Sequence, residues 1–292
     1  MSKHNSSTRA PGVSLLDAVL PEGFPTKAFC IVGGEAGTGK SVLLCELAWR
    51  SLERGESALY IILEHDPNAL LNRFDSLGWD VRPYLREGKF KIVDCFSYLL
   101  DSDPSSSRMR KYFELNKDLE EQVIRVDPTT PRSLLEKIYG VIESYYAHKT
   151  QSIVLFDSLT ELFEVLSPVD FMATLKNLRA VTTMLATPTI ASAHYGVVDK
   201  FPSSISYLAD GLIDLRFQPV YMQQGILVKQ MRIRRLSGVK SFPVWITFDI
   251  ERSKGMVLTF DYPKAVQEEM QKILLDLGFH VDTKLLSDQE EE

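Results

Sequence analysis

Apolar residues recur along the chain in two rhythms. Short continuous runs rich in β-branched residues predict strands buried on both faces: AFCIVGG from Ala28, Ala58 to Leu63, Phe90 to Val93, SIVLFD over 152–157 and TIASA over 189–193. Between these runs the apolar positions take helical spacing. Helices are predicted over Val13 to Leu20, from Lys40 to a stop at Gly55, through Leu70, Leu71, Phe74 and Leu77, over Ser133 to Tyr146, and from Val169 to Leu185. Strand and helix alternate, which predicts an α/β chain with a mainly parallel central sheet flanked by helices.

Beyond Asp210 the helical pattern gives way to GLIDLRF, GILVKQMRIRRL, PVWITFDI and GMVLTF, punctuated by Gly225, Gly238 and Gly255, so a C-terminal antiparallel extension of the sheet is predicted. Residues 101–130 begin with DSDPSSSRMRK and offer no core-facing run; they are read as an insertion or mobile loop. Residues 1–12 are polar and read as a flexible N-terminal arm. Lys264 to Gly278 sets Val266, Met270, Ile273, Leu274 and Leu277 on one helix face ahead of the acidic tail DQEEE. The expected division is an arm over 1–12, one domain over 13–262 and a C-terminal helix with its tail over 263–292.

Composition narrows the function classes. Hydrophobic residues make up 45% and charged residues 25% of the chain, the balance of a packed globular protein rather than a disordered or low-complexity one. The 33 Lys and Arg against 39 Asp and Glu give a net charge of -6, which is not the footprint of a nucleic-acid coat protein, although a local basic strip remains open. Cys30, Cys45 and Cys95 each lie in an apolar run and are expected to be buried, reduced thiols. No window reaches the roughly 18 apolar residues of a membrane helix, and the polar start is not followed by an apolar stretch, so no membrane association and a cytoplasmic location are expected.

The most specific chemical signal is Gly34-Glu35-Ala36-Gly37-Thr38-Gly39-Lys40-Ser41, which fits G-x4-G-K-[ST] and lies between a predicted strand and a predicted helix. In such a loop the backbone N–H groups converge on phosphates and the helix amino end adds positive potential. Lys40 would neutralise β and γ oxygens, and the Ser41 hydroxyl would ligate magnesium. Asp157 ends the strand SIVLFD at the same sheet edge and suits a magnesium anchor, or else a helix cap. Glu64 and His65 end another strand there; a carboxylate at Glu64 could polarise the attacking water, or cap the helix that starts near Asp66-Pro67. His194 closes TIASAH, either as a sensor of the γ-phosphate or as a turn histidine. In MRIRRLSGVK, alternation puts Arg232 and Arg234 on one strand face, where they would reach a phosphate of an adjacent subunit or else form a solvated basic strand.

Taken together, these residues resemble the RecA/KaiC superfamily of P-loop ATPases, specifically the archaeal single-domain KaiC-like (RadA-paralog-like) proteins. The resemblance covers about residues 13 to 262 and is carried by GVSLLDAVLPEGFPTKAFCIVGGEAGTGKS, YIILEH, NRFDSLGWDVRPYLREGKFKIVD, IVLFDSLT and RIRRLSG. It implies a RecA-like P-loop fold, ATP and Mg2+ as cofactors, Glu64 as catalytic base, His194 as γ-phosphate sensor, and Arg232 and Arg234 acting across a subunit boundary. It also implies a homo-oligomeric ring or filament, hexamers included, coupled to the nucleotide state in a regulatory or signalling role with a further protein partner. Clock-type KaiC carries two adjacent glutamates and duplicated domains, whereas this chain has Glu64-His65 and one glycine loop. Clock-type autophosphorylation is therefore not expected.

Two other functions compete with an ATP hydrolase. One is a nucleotide-switched scaffold without hydrolysis. The other is a DNA-repair or recombination accessory that binds single strands, and it ranks lower because the segment Tyr195 to Asp210 holds Lys200 as its only Lys or Arg.

Overall fold

The apolar runs assemble into one large twisted sheet in this computed structural model, which describes residues 8–98, 122–148, 151–195, 208–223 and 225–259. Among the described residues the strands are β1 (Thr8–Arg9) and β2 (Phe24–Pro25), which pair as a separate two-stranded sheet, and β3 (Phe29–Gly34), β4 (Ser57–Ile62), β5 (Phe90–Asp94), β6 (Val123–Arg125), β7 (Ser152–Asp157), β8 (Thr189–His194), β9 (Gly211–Phe217), β10 (Lys229–Leu236), β11 (Ile246–Glu251) and β12 (Gly255–Leu258). The helices are α1 (Ser14–Asp17), α2 (Lys40–Glu53), α3 (Pro67–Ser76), α4 (Arg82–Arg86), α5 (Pro131–Ala147), α6 (Leu159–Val165), α7 (Pro168–Leu185) and α8 (Pro219–Gln223).

Ten strands join in the order β12-β11-β10-β9-β3-β8-β7-β4-β5-β6. From β9 to β6 the neighbours are parallel, and β10, β11 and β12 add on antiparallel at the other edge. The mainly parallel sheet and its C-terminal antiparallel extension are as the sequence predicts. Side-chain alternation explains why the strands read as unbroken apolar runs. Ala58, Tyr60 and Ile62 of β4 enter a core shared with α1, α2, α3 and α4, while Leu59 and Ile61 enter a second core shared with α5, α6 and α7. A strand covered on both faces has no polar side to show.

Helix boundaries follow local chemistry. Asp66 caps α3 by accepting from the N–H groups of Asn68 and Ala69, with Pro67 at the first helical position. Ser167 caps α7 through the Asp170 N–H, with Pro168 following. Cys30, Cys45 and Cys95 are free and buried, as expected.

Several expectations change. The leading helix shrinks to the single turn Ser14–Asp17, although Val13, Leu15, Leu16, Val19 and Leu20 are all buried. The arm expected over 1–12 is held from Thr8 onward: β1 pairs with β2, and Arg9 bonds Glu56 at 2.9 Å. Within the insertion expected over 101–130, Val123–Arg125 forms the edge strand β6 beside β5, and Val126 is buried. Three residues are too few for a period-2 signal to show. The rest of that insertion to residue 121, the C-terminal helix and acidic tail, and most of the segment Tyr195 to Asp210 lie outside the described residues.

Candidate functional site

Four neighbouring parallel strands, β3, β8, β7 and β4, end along one edge of the sheet, and the site is built from these strands and from the segments that follow them. The loop after β3 turns into α2. Gly34 has no room for a side chain, since a Cβ there would meet the Leu215 carbonyl oxygen and the Thr38 hydroxyl. Gly39, at φ +103, is the N-cap of α2 in a left-handed conformation that L residues rarely adopt. The Thr38 hydroxyl, fully buried, donates to the Glu35 carbonyl at 2.7 Å and ties the loop to itself. Glu35, Ala36 and Gly37 form its exposed rim.

Lys40 opens α2 and folds over the loop. Its ammonium donates to the carbonyl oxygens of Gly34 at 3.0 Å and Glu35 at 2.8 Å, and approaches His194 Nδ1 at 3.3 Å. Burial lowers the Lys40 pKa, against the opposing pull of Glu64, Asp157 and Glu35. An ammonium only donates, so His194 Nδ1 accepts and its hydrogen sits on Nε2, which donates to Glu64 Oε1 at 3.1 Å. Ser158 Oγ donates to the same Glu64 oxygen at 2.5 Å. Lys40, His194 and Glu64 thus form one hydrogen-bonded line across the ends of β3, β8 and β4.

Asp157 ends β7 and is almost fully buried. Its Oδ1 accepts from Ser41 Oγ at 3.3 Å and Ser192 Oγ at 2.5 Å, while Oδ2 accepts from the Tyr60 hydroxyl at 3.1 Å. Arg73 Nη1 lies 3.5 Å from Oδ2 and 2.9 Å from His65 Nε2. Burial, then Arg73, lowers the His65 pKa. Ser41 and Asp157 together present hard oxygen donors at the amino end of α2, a donor set that fits Mg2+ better than a thiophilic metal.

The two arginines of β10 have a different setting. Both bond Asp214 of β9: Arg232 Nε reaches Oδ2 at 2.8 Å, while Arg234 reaches Oδ2 at 2.8 Å and Oδ1 at 2.7 Å. The Tyr195 hydroxyl donates to Oδ1 at 2.6 Å. Burial alone would raise the Asp214 pKa, but the bonds from Arg234, Tyr195 and Arg232 outweigh it and hold the pKa below the ordinary value. Arg232 also lies against the Trp245 ring, 4.5 Å from its centroid. A bulge between Ile233 and Arg235 breaks simple alternation, yet Arg232 and Arg234 still meet on one carboxylate.

Lys40, Ser41, Glu64, Asp157 and His194 are therefore brought together, while Arg232 and Arg234 stand apart on Asp214. Sequence reading missed Tyr60, Ser192, Ser158 and Arg73. Tyr60 and Ser192 carried a signal, being hydroxyls inside apolar strand runs, where a buried polar group needs a partner. Arg73 carried none.

A RecA-type sheet with a phosphate loop at its carboxyl edge defines a class of nucleotide-binding ATPase domains. The family model described as "ATPase: KaiC" matches residues 10–261, and the chain belongs to that family. Among curated relatives, a UPF0273 protein of Aeropyrum pernix is 26% identical over 257 residues, spanning 87% of this chain and 93% of its own. A UPF0273 protein of Saccharolobus solfataricus is 26% identical over 98% of both chains. The crystal structure of KaiC-like protein PH0186 from Pyrococcus horikoshii superposes with a TM-score of 0.63 at 21% identity, covering 88% of this chain and 99% of that one, which supports the fold. Among the described residues no helix is long and apolar enough to cross a membrane.

Proposed function

We propose that this chain is a Mg2+-dependent ATP hydrolase that works as a homo-oligomeric ring or filament whose state follows the bound nucleotide, in a regulatory or signalling role. The observation that carries the proposal is the convergence of Lys40, Ser41, Asp157, Glu64 and His194 at the amino end of α2. The N–H groups of the loop from Gly34 to Ser41 cradle the phosphates, and Lys40 exchanges its carbonyl partners for β and γ oxygens. Ser41 and Asp157 would hold the magnesium, whose charge would offset that of the phosphates. Glu64 orients the attacking water and accepts its proton. His194, bonded to both Lys40 and Glu64, senses the γ-phosphate.

Arg232 and Arg234 act across a subunit boundary in this reading. Support comes from their half-exposed side chains and from their bonds to Asp214 rather than to the chain's own loop. Replacing Lys40 with Ala should abolish ATP binding in calorimetry. Replacing Glu64 with Gln should preserve binding while phosphate release drops by about a hundredfold or more. Full turnover in Glu64→Gln would remove Glu64 from the mechanism.

A second reading, the switched scaffold, is favoured by one observation. Ser158 and His194 both bond Glu64 Oε1, so that oxygen is committed before any water arrives. Single-turnover phosphate release separates the two: a scaffold binds ATP and releases none.

A further inference from the structure

We infer that Arg73 is a resident counter-cation of Asp157 that sets how much Mg2+ the nucleotide site requires. The inference rests on the nucleotide reading above and concerns a residue to which that reading gives no part. Asp157 has two distinct sides. Oδ1 faces the Ser41 hydroxyl at the head of α2, whereas Oδ2 is turned towards Tyr60 and Arg73.

The guanidinium is well anchored. Arg73 stands in the last turn of α3, and its Nη1 donates to His65 Nε2 at 2.9 Å. Because a guanidinium only donates, that ring nitrogen carries no hydrogen and His65 is neutral, with Nδ1 directed to the Asp66 carbonyl at 3.3 Å. Of the two basic side chains on this side of Asp157, His65 therefore orients and Arg73 bears the charge. Tyr60 adds a hydroxyl donor to Oδ2.

A fixed positive charge beside the metal-anchoring carboxylate has a definite consequence. It offsets part of the negative potential that would draw a divalent cation to Oδ1, so the carboxylate alone holds Mg2+ weakly. Mg2+ then enters effectively only with the phosphates, which bring the missing negative charge. Metal binding is thereby tied to nucleotide binding. A merely structural role predicts the opposite sign, since an Asp157 that lost its support would hold Mg2+ less well.

Arg73→Gln and Arg73→Lys test this by ATP-binding calorimetry across a Mg2+ titration that starts from excess chelator. In parallel, MgCl2 alone is added to nucleotide-free protein in a thermal-shift series. Arg73→Gln should reach half-maximal ATP binding at roughly tenfold lower Mg2+ than the wild type. Its nucleotide-free form should gain a Mg2+-induced rise in melting temperature that the wild type lacks. Arg73→Lys keeps the charge and should behave as wild type. Arg73→Met reads the same shift if the Gln variant fails to fold.

An unchanged or higher Mg2+ requirement in the neutral variants overturns the inference. If the wild type binds no ATP at any Mg2+ concentration, the nucleotide reading fails. The thermal-shift arm then still decides on Arg73, because equal shifts in wild type and Arg73→Gln overturn it.

Discussion

Glu46 shows how much a single residue of the loop helix matters. It points from α2 into the interior and is fully buried, with Oε2 accepting from the Met256 N–H at 2.7 Å and Arg50 3.5 Å from Oε1. Burial raises its pKa from the ordinary 4.5 to about 7, outweighing the Met256 N–H and Arg50. An acid whose folded pKa lies above its unfolded value stays protonated in the fold across that interval. Its contribution to stability is full below about 4.5 and is lost as pH rises through about 7. Glu46→Gln removes the ionisation, so its stability relative to wild type should rise by roughly 2 kcal/mol between pH 5 and pH 8 in chemical denaturation. A difference that stays constant with pH would show that Glu46 does not titrate there. At this scale the sequence was uneven evidence. The loop from Gly34 to Ser41 announces itself because phosphate binding demands particular residues at fixed spacing. Glu46 looks like any charged position on a helix, and only the β11–β12 hairpin packed over it reveals its burial.

Elements were legible in proportion to the apolar surface they bury. β3, β4, β7 and β8 lie in the sheet interior and appear as continuous runs, whereas β6 and α4 are short and gave no separate signal. The connection between α3 and α4 carries the clearest packing of this kind. Trp79 is almost fully buried, stacks on Trp49 of α2 with ring centroids 6.1 Å apart, and donates from Nε1 to the Ser253 carbonyl at 3.4 Å. One side chain thus pins the loop helix, the chain after α3 and the β11–β12 turn. Trp79→Ala should cost about 3–5 kcal/mol in a urea melt. Because Trp49 lies on α2, the helix that opens with Lys40, ATP affinity should fall along with stability. A loss below 1 kcal/mol would mean that the three elements hold together without it.

At the scale of the whole molecule, the sheet carries two separate charged clusters. The carboxyl edge of β3, β8, β7 and β4 gathers Lys40, Glu64 and Asp157, while the face of β9 and β10 gathers Arg232 and Arg234 around Asp214. The arginine carboxylate partner was not legible, because Asp214 sits on a different strand and only the β9–β10 register opposes it to Arg232. Two guanidiniums on one carboxylate leave a net positive charge, which suits a phosphate held by a second copy. If each complete site takes Lys40 and Glu64 from one copy and an arginine from the next, then Arg234→Ala and Glu64→Gln subunits are defective in different halves of it. Each variant alone should release little phosphate. Mixed after co-expression, they should recover activity, with about a quarter of the interfaces complete when the two assort at random. The site that recovers pairs the intact Glu64 of an Arg234→Ala copy with the intact arginine of a Glu64→Gln copy. A mixture no more active than its parts, in particles shown by sizing to contain both subunits, would place the arginines outside the reaction and leave their charge to the bond with Asp214 alone.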